Sequence, residues 1–424
     1  MIYLRPFFGR QFFAQCLLGL AIAMLAGCGS GQPGAPSTNT RPSSENGLRS
    51  EKGGTTPPPS TRSFAAHSES ISLLLFSPDS RQLLTASSNN TYQAKAGQMV
   101  SSGRESDKTL LLWDVDTGKQ LQQFAGHADG INCAAFLPDG KRFVSGSLDH
   151  TLRVWDAASG KELQQWVGHT GPVNSLALDG QGVRAVSGGR DGSSRVWDIA
   201  AGKELQRFKG SKPVLQVALT QDGRRALTVD EDQVILWDTD TGQLVHRLEL
   251  SAGGKGAKEP DRSNRFLCPI LPGDGKEVWV LHPGLKLFRW RLDDGTPLAS
   301  QDLPYTLALK SGYDYKDDGT PLASRDLPPL PMSVGTVAVT PDGQRCLIGS
   351  PPTNGKMLVT VFELPGGKVL HKLTVSQGGG LGPSPLAALS PDGRYAVITQ
   401  PYGKLENDKL YLTNNYVHLY RLAE

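Results

Sequence analysis

Three observations predict an all-β protein built as a closed ring of seven four-stranded units. A turn of Pro-Asp-Gly type recurs seven times between apolar runs: "SPDS" at 77, "LPDG" at 137, "DGQG" at 179, "TQDG" at 220, "PGDG" at 272, "TPDG" at 340 and "SPDG" at 390. A second glycine turn recurs six times, as "DTGKQL", "ASGKEL", "AAGKEL", "DTGQLV", "DDGTPL" and "PGGKVL". Each follows an aromatic residue: Trp113, Trp155, Trp197, Trp237, Trp290 or Phe362. The seventh unit ends in "YVHLYRLAE" without a last strand, and "TRSFAAH" ahead of the first unit matches "LQQFAGH" ahead of the second.

Each observation has a physical reason. Pro presets one backbone dihedral, Asp caps its own backbone, and Gly accepts positive φ, so the first turn joins two short strands. The second turn adds a fourth strand to each of six units. The seventh borrows its fourth strand from the N-terminal side. The result is a seven-bladed β-propeller over residues 63–424.

The segment ahead of the ring has other tasks. "MIYLRPFFGR" carries two arginines, and the apolar run "QFFAQCLLGLAIAMLAG" that follows has signal-peptide length. It falls short of the roughly 20 residues that a spanning helix needs. "LAGC", from Leu25 to Cys28, resembles a bacterial lipobox. That resemblance implies cleavage after residue 27 and a diacylglycerol thioether on Cys28, with the new amine acylated. Several acyl chains on one residue give stable anchoring. Residues 28–62 form a tether: after Cys28, Gly, Ser, Pro and Thr make up most of the segment and no aromatic occurs. Such a composition buries too little apolar surface to fold and reaches about 30 Å as a flexible chain.

The propeller repeats resemble a known family. "FAGHADGINCAAFLPDGKRFVSGSLDHTLRVWDAASGKELQQ" and "WVGHTGPVNSLALDGQGVRAVSGGRDGSSRVWDIAAGKELQR" are similar to WD repeats. Blades one to three keep the signature, blade four keeps part of it, and blades five to seven keep only the strand-turn rhythm. The resemblance implies a hydrogen-bonded tetrad of His, Ser or Thr, Asp and Trp in each complete blade. Blade one supplies His67, Thr85, Asp107 and Trp113, with Asp107 displaced by an insertion. Blade two supplies His127, Ser145, Asp149 and Trp155, and blade three His169, Ser187, Asp191 and Trp197. Blade four offers Thr228, Asp232 and Trp237, with Ser211 in place of the His; blade five keeps Trp290 only.

The serine, histidine and aspartate types also suit acyl-transfer catalysis. Copies at one constant interval, His127 to His169 and Ser145 to Ser187, follow the logic of a fold and not of one cleft with an oxyanion site. His150, beside Asp149, is expected to be exposed. There is no Cys-x-x-Cys, His-Glu-x-x-His, Gly-x-Ser-x-Gly or phosphate-loop motif, so no metal, cofactor or catalytic residue is expected. The formal charge is +3, from 44 basic and 41 acidic residues. Loss of Arg5 and Arg10 leaves 42 against 41, giving no reason to expect nucleic acid as partner. Cys133, Cys268 and Cys346 sit in strand-like apolar runs and read as buried thiols.

Insertions locate the expected binding surface. Ser88–Ser106, Ser350–Lys356 and Pro401–Asn414 fall between second and third strands. Ser251–Asn264, Lys310–Val334 and Gln377–Ser384 fall between blades. Both classes of connection open on one face of a propeller, while the tight turns occupy the other. Tyr92, Arg104, Tyr313, Tyr315 and Tyr402 in the insertions, and Arg190 beside a tetrad Asp, are the candidate partner-binding residues, since Tyr and Arg are common interface anchors. "DDGTPLASQDLP" at 293 is nearly copied at 317, and either copy can form the turn.

Together these features predict a monomeric, non-catalytic platform in a bacterial cell envelope that binds a protein or peptide. Its lipid anchor would sit on the outer side of the inner membrane or on the outer membrane; Gly29 in place of a retaining Asp favours the latter. Two alternatives stay open: an accessory lipoprotein of an outer-membrane assembly complex, and a propeller enzyme acting at the central channel mouth.

Overall fold

The computed structural model describes residues 61–67, 70–87, 92–95, 98–101, 108–210, 212–230, 233–248, 268–272, 275–282, 286–298, 300–302, 336–340, 343–349, 356–376, 386–406 and 409–422. The described residues form strands and turns and no helix, so none is long and apolar enough to cross a membrane.

Seven antiparallel sheets follow one another around the ring. Blade one is Ile71–Phe76, Gln82–Ser87, Thr109–Asp114 and Gln120–Ala125. Blade two is Ile131–Phe136, Arg142–Ser147, Thr151–Asp156 and Glu162–Val167. Blade three is Val173–Leu178, Arg184–Gly189, Ser193–Asp198 and Lys203–Lys209. Blade four is Gln216–Leu219, Arg225–Val229, Val234–Asp238 and Leu244–Leu248. Blade five is Cys268–Ile270, Glu277–His282, Lys286–Arg291 and Gln301–Asp302. Blade six is Thr336–Val339, Arg345–Gly349, Lys356–Glu363 and Val369–Ser376. Blade seven is Ala387–Leu389, Tyr395–Glu406 and Lys409–Arg421, and its fourth strand is Thr61–Ala65, paired from Thr61 opposite Tyr420 to Ala65 opposite Tyr416. The closing strand thus starts at Thr61, ahead of the boundary at Ser63 expected from sequence.

The turns behave as their chemistry dictates. The first turn of blade two ends on Gly140 at φ 65°, and blade one uses Ser80 at φ 62° at the same place. In the duplicated segment the first copy forms the turn: Gly295 (φ 64°) closes it and the Gly295 amide donates to the Arg291 carbonyl at 3.0 Å. The second copy, 317–328, lies outside the described residues.

Two insertions expected as loops contain strands. Tyr395–Glu406 and Lys409–Arg421 continue as one long hairpin through Pro401–Asn414, with a register shift between Gln400 and Tyr402. Pro401 sits at that shift, where a residue without an N–H is tolerated. Within Ser88–Ser106, Tyr92–Lys95 and Gln98–Ser101 form a second hairpin, which joins the first through Gln93 opposite Tyr411 and Tyr92 opposite Leu412.

The core is divided among the junctions. The buried apolar side chains fall into seven clusters, each shared by two neighbouring blades. Four junctions have an aromatic pair in which the fourth strand of one blade meets the third-strand Trp of the next. Phe124 meets Trp155 at 5.9 Å, Trp166 meets Trp197 at 5.5 Å, and Phe208 meets Trp237 at 4.9 Å. Phe64, on the closing strand, meets Trp113 of blade one at 4.6 Å. Closure therefore repeats the contact that joins consecutive blades elsewhere. Truncating a packed Phe costs several kcal/mol. Phe64→Ala, at a half-buried site, is expected to lower unfolding free energy by about 2 kcal/mol or more; chemical denaturation checks this, and an unchanged midpoint contradicts it.

Candidate functional site

Blade two brings His127, Ser145, Asp149 and Trp155 together. The connection before its first strand supplies His127, its second strand Ser145, the following turn Asp149, and its third strand Trp155. Trp155 Nε1 donates to Ser145 Oγ at 2.8 Å, Ser145 Oγ lies 2.7 Å from His127 Nε2, and His127 Nδ1 lies 2.8 Å from Asp149 Oδ2. An ionised Asp accepts only, so Nδ1 carries the imidazole proton and Nε2 accepts from the Ser145 hydroxyl. Every group in the chain then has its partner. Asp149 also accepts from the Ala128 amide at 2.9 Å and from the Thr151 amide and hydroxyl. Burial opposes ionisation of Asp149, but these hydrogen bonds and that from His127 outweigh it and hold the carboxyl well below its usual range.

Blade three repeats the arrangement. Trp197 Nε1 donates to Ser187 Oγ at 2.8 Å, Ser187 Oγ lies 2.8 Å from His169 Nε2, and His169 Nδ1 lies 3.1 Å from Asp191 Oδ2. Burial raises the cost of ionising Asp191, yet the Thr170 amide and the Ser193 hydroxyl and amide bring its pKa down. Burial also lowers the pKa of His169, against the pull of Asp191. Blade one has His67 Nε2 and Trp113 Nε1 each 2.9 Å from Thr85 Oγ1; Asp107 lies outside the described residues. In blade four Trp237 donates to Thr228 at 2.8 Å, while Ser211 and Asp232 lie outside them. In blade five Trp290 is buried in an apolar cluster with Val278, Val280 and Phe288.

The order Asp, His, Ser is that of a hydrolase triad, but the chemistry is blocked. Ser145 is fully buried with its oxygen already accepting from Trp155. A nucleophile needs an approach path and an oxyanion site. His150 is exposed and holds φ at 71°, apart from the tetrad.

Arg190 is exposed on the turn just before Asp191. Tyr92 and Tyr402 lie on the joined hairpins, opposite Leu412 and Thr413. Arg104, Tyr313, Tyr315 and Cys28 lie outside the described residues. Cys133 and Cys346 are buried thiols, and burial pushes Cys133 up to about 12. Among the described residues no group of three or more His, Cys, Asp or Glu side chains is placed to hold a metal ion.

Sequence reasoning missed the polar ties between blades. Ser72, Asn132 and Asn174, each second in its blade's first strand, donate to the Ile131, Val173 and Val214 carbonyls of the next blade at 2.7, 2.9 and 2.8 Å. On the outer strands, Gln122, Gln164 and Gln206 reach the Ala158, Ala200 and Asp240 carbonyls of the following blade. Their recurrence at the same interval as the tetrads was the available signal.

The fold is a seven-bladed propeller, and three stretches of it are similar to WD repeats. Residues 59–92, 118–156 and 160–198 match the family described as WD domain, G-beta repeat. The chain is also similar to the intraflagellar transport protein 122 homologs of Xenopus tropicalis, 35% identical over 81 residues, and Mus musculus, 37% over 76. These stretches cover 19% and 18% of this chain and 5% of each relative. The Lissencephaly-1 homolog of Heterostelium pallidum is 32% identical over 72 residues, 17% of each chain. The chain thus matches only a small part of the length of these relatives.

Two outcomes follow from the tetrads. Asp149→Ala strands the His127 Nδ1–H in a buried site, which costs about 1–3 kcal/mol; thermal or urea unfolding reads this. The second concerns pH. His169, His371 and His418 have folded pKa values below 6.5, mainly through burial, and Asp149 and Asp191 lie below 3.8. In both windows the unfolded chain binds more protons, so stability is lost as pH falls. The urea midpoint is expected to drop as pH falls below 6.5 and again below 3.8; a midpoint that rises on acidification contradicts this.

Proposed function

We propose that this propeller is a membrane-anchored, non-catalytic platform in a bacterial cell envelope, monomeric, and binding a protein or peptide on its insertion face. The observation that carries the proposal is the pairing of two separate insertions, Gln93 opposite Tyr411 and Tyr92 opposite Leu412, into one sheet on that face. A rigid ring that presents an elaborated surface on one side suits recognition. The sealed tetrads argue against hydrolysis by the groups that most resemble a triad. The anchor rests on the lipobox-like "LAGC" and the tether after it.

Two experiments test the two halves. Deleting 88–106 leaves all four strands of blade one and the closing strand in place, so the ring is expected to fold while crosslinks to its partner in cells disappear. Unchanged crosslinks with the deletion contradict the platform reading. Metabolic palmitate labelling is expected to mark the wild type and to vanish in Cys28→Ser; label retained in that variant contradicts the anchor.

A further inference from the structure

The closing junction differs on the turn face from the junction of blades three and four. At the junction of blades three and four, Arg184 reaches across to Thr239 at 2.9 Å and to Asp240 at 2.6 Å, so a guanidinium neutralises a carboxylate. Between blades seven and one, Tyr395 stands in the position of Arg184 and Asp116 in that of Asp240. There Tyr395 Oη donates to Asp116 at 3.2 Å, and beside it the Asp392 amide donates to Ser80 Oγ at 3.3 Å. Two adjoining clefts of about 80 and 300 Å³ open at this seam.

Four arginines line these clefts: Arg62 from the closing strand, Arg81 from the first turn of blade one, and Arg394 and Arg421 from blade seven. Asp116 is the one carboxylate lining them. Arg394 is paired with Asp392 at 2.6 Å, on the turn itself. Among the described residues Arg81 and Arg421 form no ion pair. The clefts therefore combine several guanidinium forks with a phenol and the Ser80 hydroxyl and have too few acceptors for them. Guanidinium forks match tetrahedral oxyanions bidentately, and crowded arginines are stabilised when such an anion bridges them.

We propose that the cleft at the ring seam binds a phosphate group. Two sources share that chemistry: a soluble phosphate ester, or the headgroup of an anionic lipid. The second source is within reach, because the chain joins the ring at Thr61, on this same face, so the tether meets the ring beside the cleft. Occupancy by either would cross-bridge blades one and seven and tighten the closure.

The test uses the full chain in detergent and follows hydrogen exchange with and without inorganic phosphate, with chloride at equal ionic strength as control. Phosphate is expected to slow exchange several-fold at 77–82 and 391–395 and to leave the equivalent turns of blades two and three unchanged. Arg81→Gln with Arg421→Gln is expected to abolish the effect while its unfolding midpoint without phosphate stays that of the wild type. No slowing, equal slowing in the double variant, or slowing at every blade overturns the proposal. Vesicles of phosphatidylcholine with and without phosphatidic acid separate the sources. Added protection with phosphatidic acid, lost in the double variant, assigns the headgroup; protection by inorganic phosphate alone assigns a soluble ester. Failure of palmitate labelling would remove the anchor without touching this outcome.

Discussion

The contact on which four of the described junctions depend is the one between an outer-strand aromatic and the third-strand Trp of the next blade. A single four-stranded sheet cannot bury both faces, so each blade needs its neighbours. The seven junction clusters meet that need, and Phe64 extends it across the gap between the two ends of the chain. A large indole is useful at a junction only when its orientation is fixed. The tetrad supplies that. Ser145 takes the Trp155 N–H, His127 takes the Ser145 hydroxyl, and Asp149 fixes the tautomer of His127. Polar side chains that resemble catalytic machinery thereby determine where an apolar ring sits.

The turns, the borrowed strand and the tetrads of blades two and three were legible because each depends on local chemistry repeated at fixed spacing. Blades five to seven were legible only as rhythm, and the structure gives the reason. At the position of Ser145 they carry Val280, Ile348 and Ile398, all buried. Replacing a whole hydrogen-bonded set by apolar side chains of similar shape can be nearly neutral. It erases the motif and keeps the packing. Phe362 and Tyr420 then stand where the Trp would be, opposite Cys346 and Ala396.

The insertions were harder to read. Their sequences are polar and rich in turn formers, which suggests loops, yet the backbone of two of them pairs across the ring seam. Pairing between segments near opposite ends of the chain, as Gln93 with Tyr411, has no local signature. The inter-blade ties from Asn132, Asn174, Gln122 and Gln164 were hidden for a different reason: a polar residue on a half-exposed strand is ordinary until its neighbour is known. The seam also concentrates what is unusual in the molecule. The closing strand, the joined hairpins and the arginine-lined clefts all lie between blades seven and one, on opposite faces of the same junction.

The central claim is that the tetrad acts through the Trp on the junction behind it. A double-mutant cycle between Ser145→Ala and Phe124→Leu tests this most directly, because Ser145 bonds the Trp155 indole while Phe124, from the preceding blade, packs on its ring. The account predicts coupling of about 0.5 kcal/mol or more in unfolding free energy, the range for residues that share a partner. Additive losses within experimental error would contradict it.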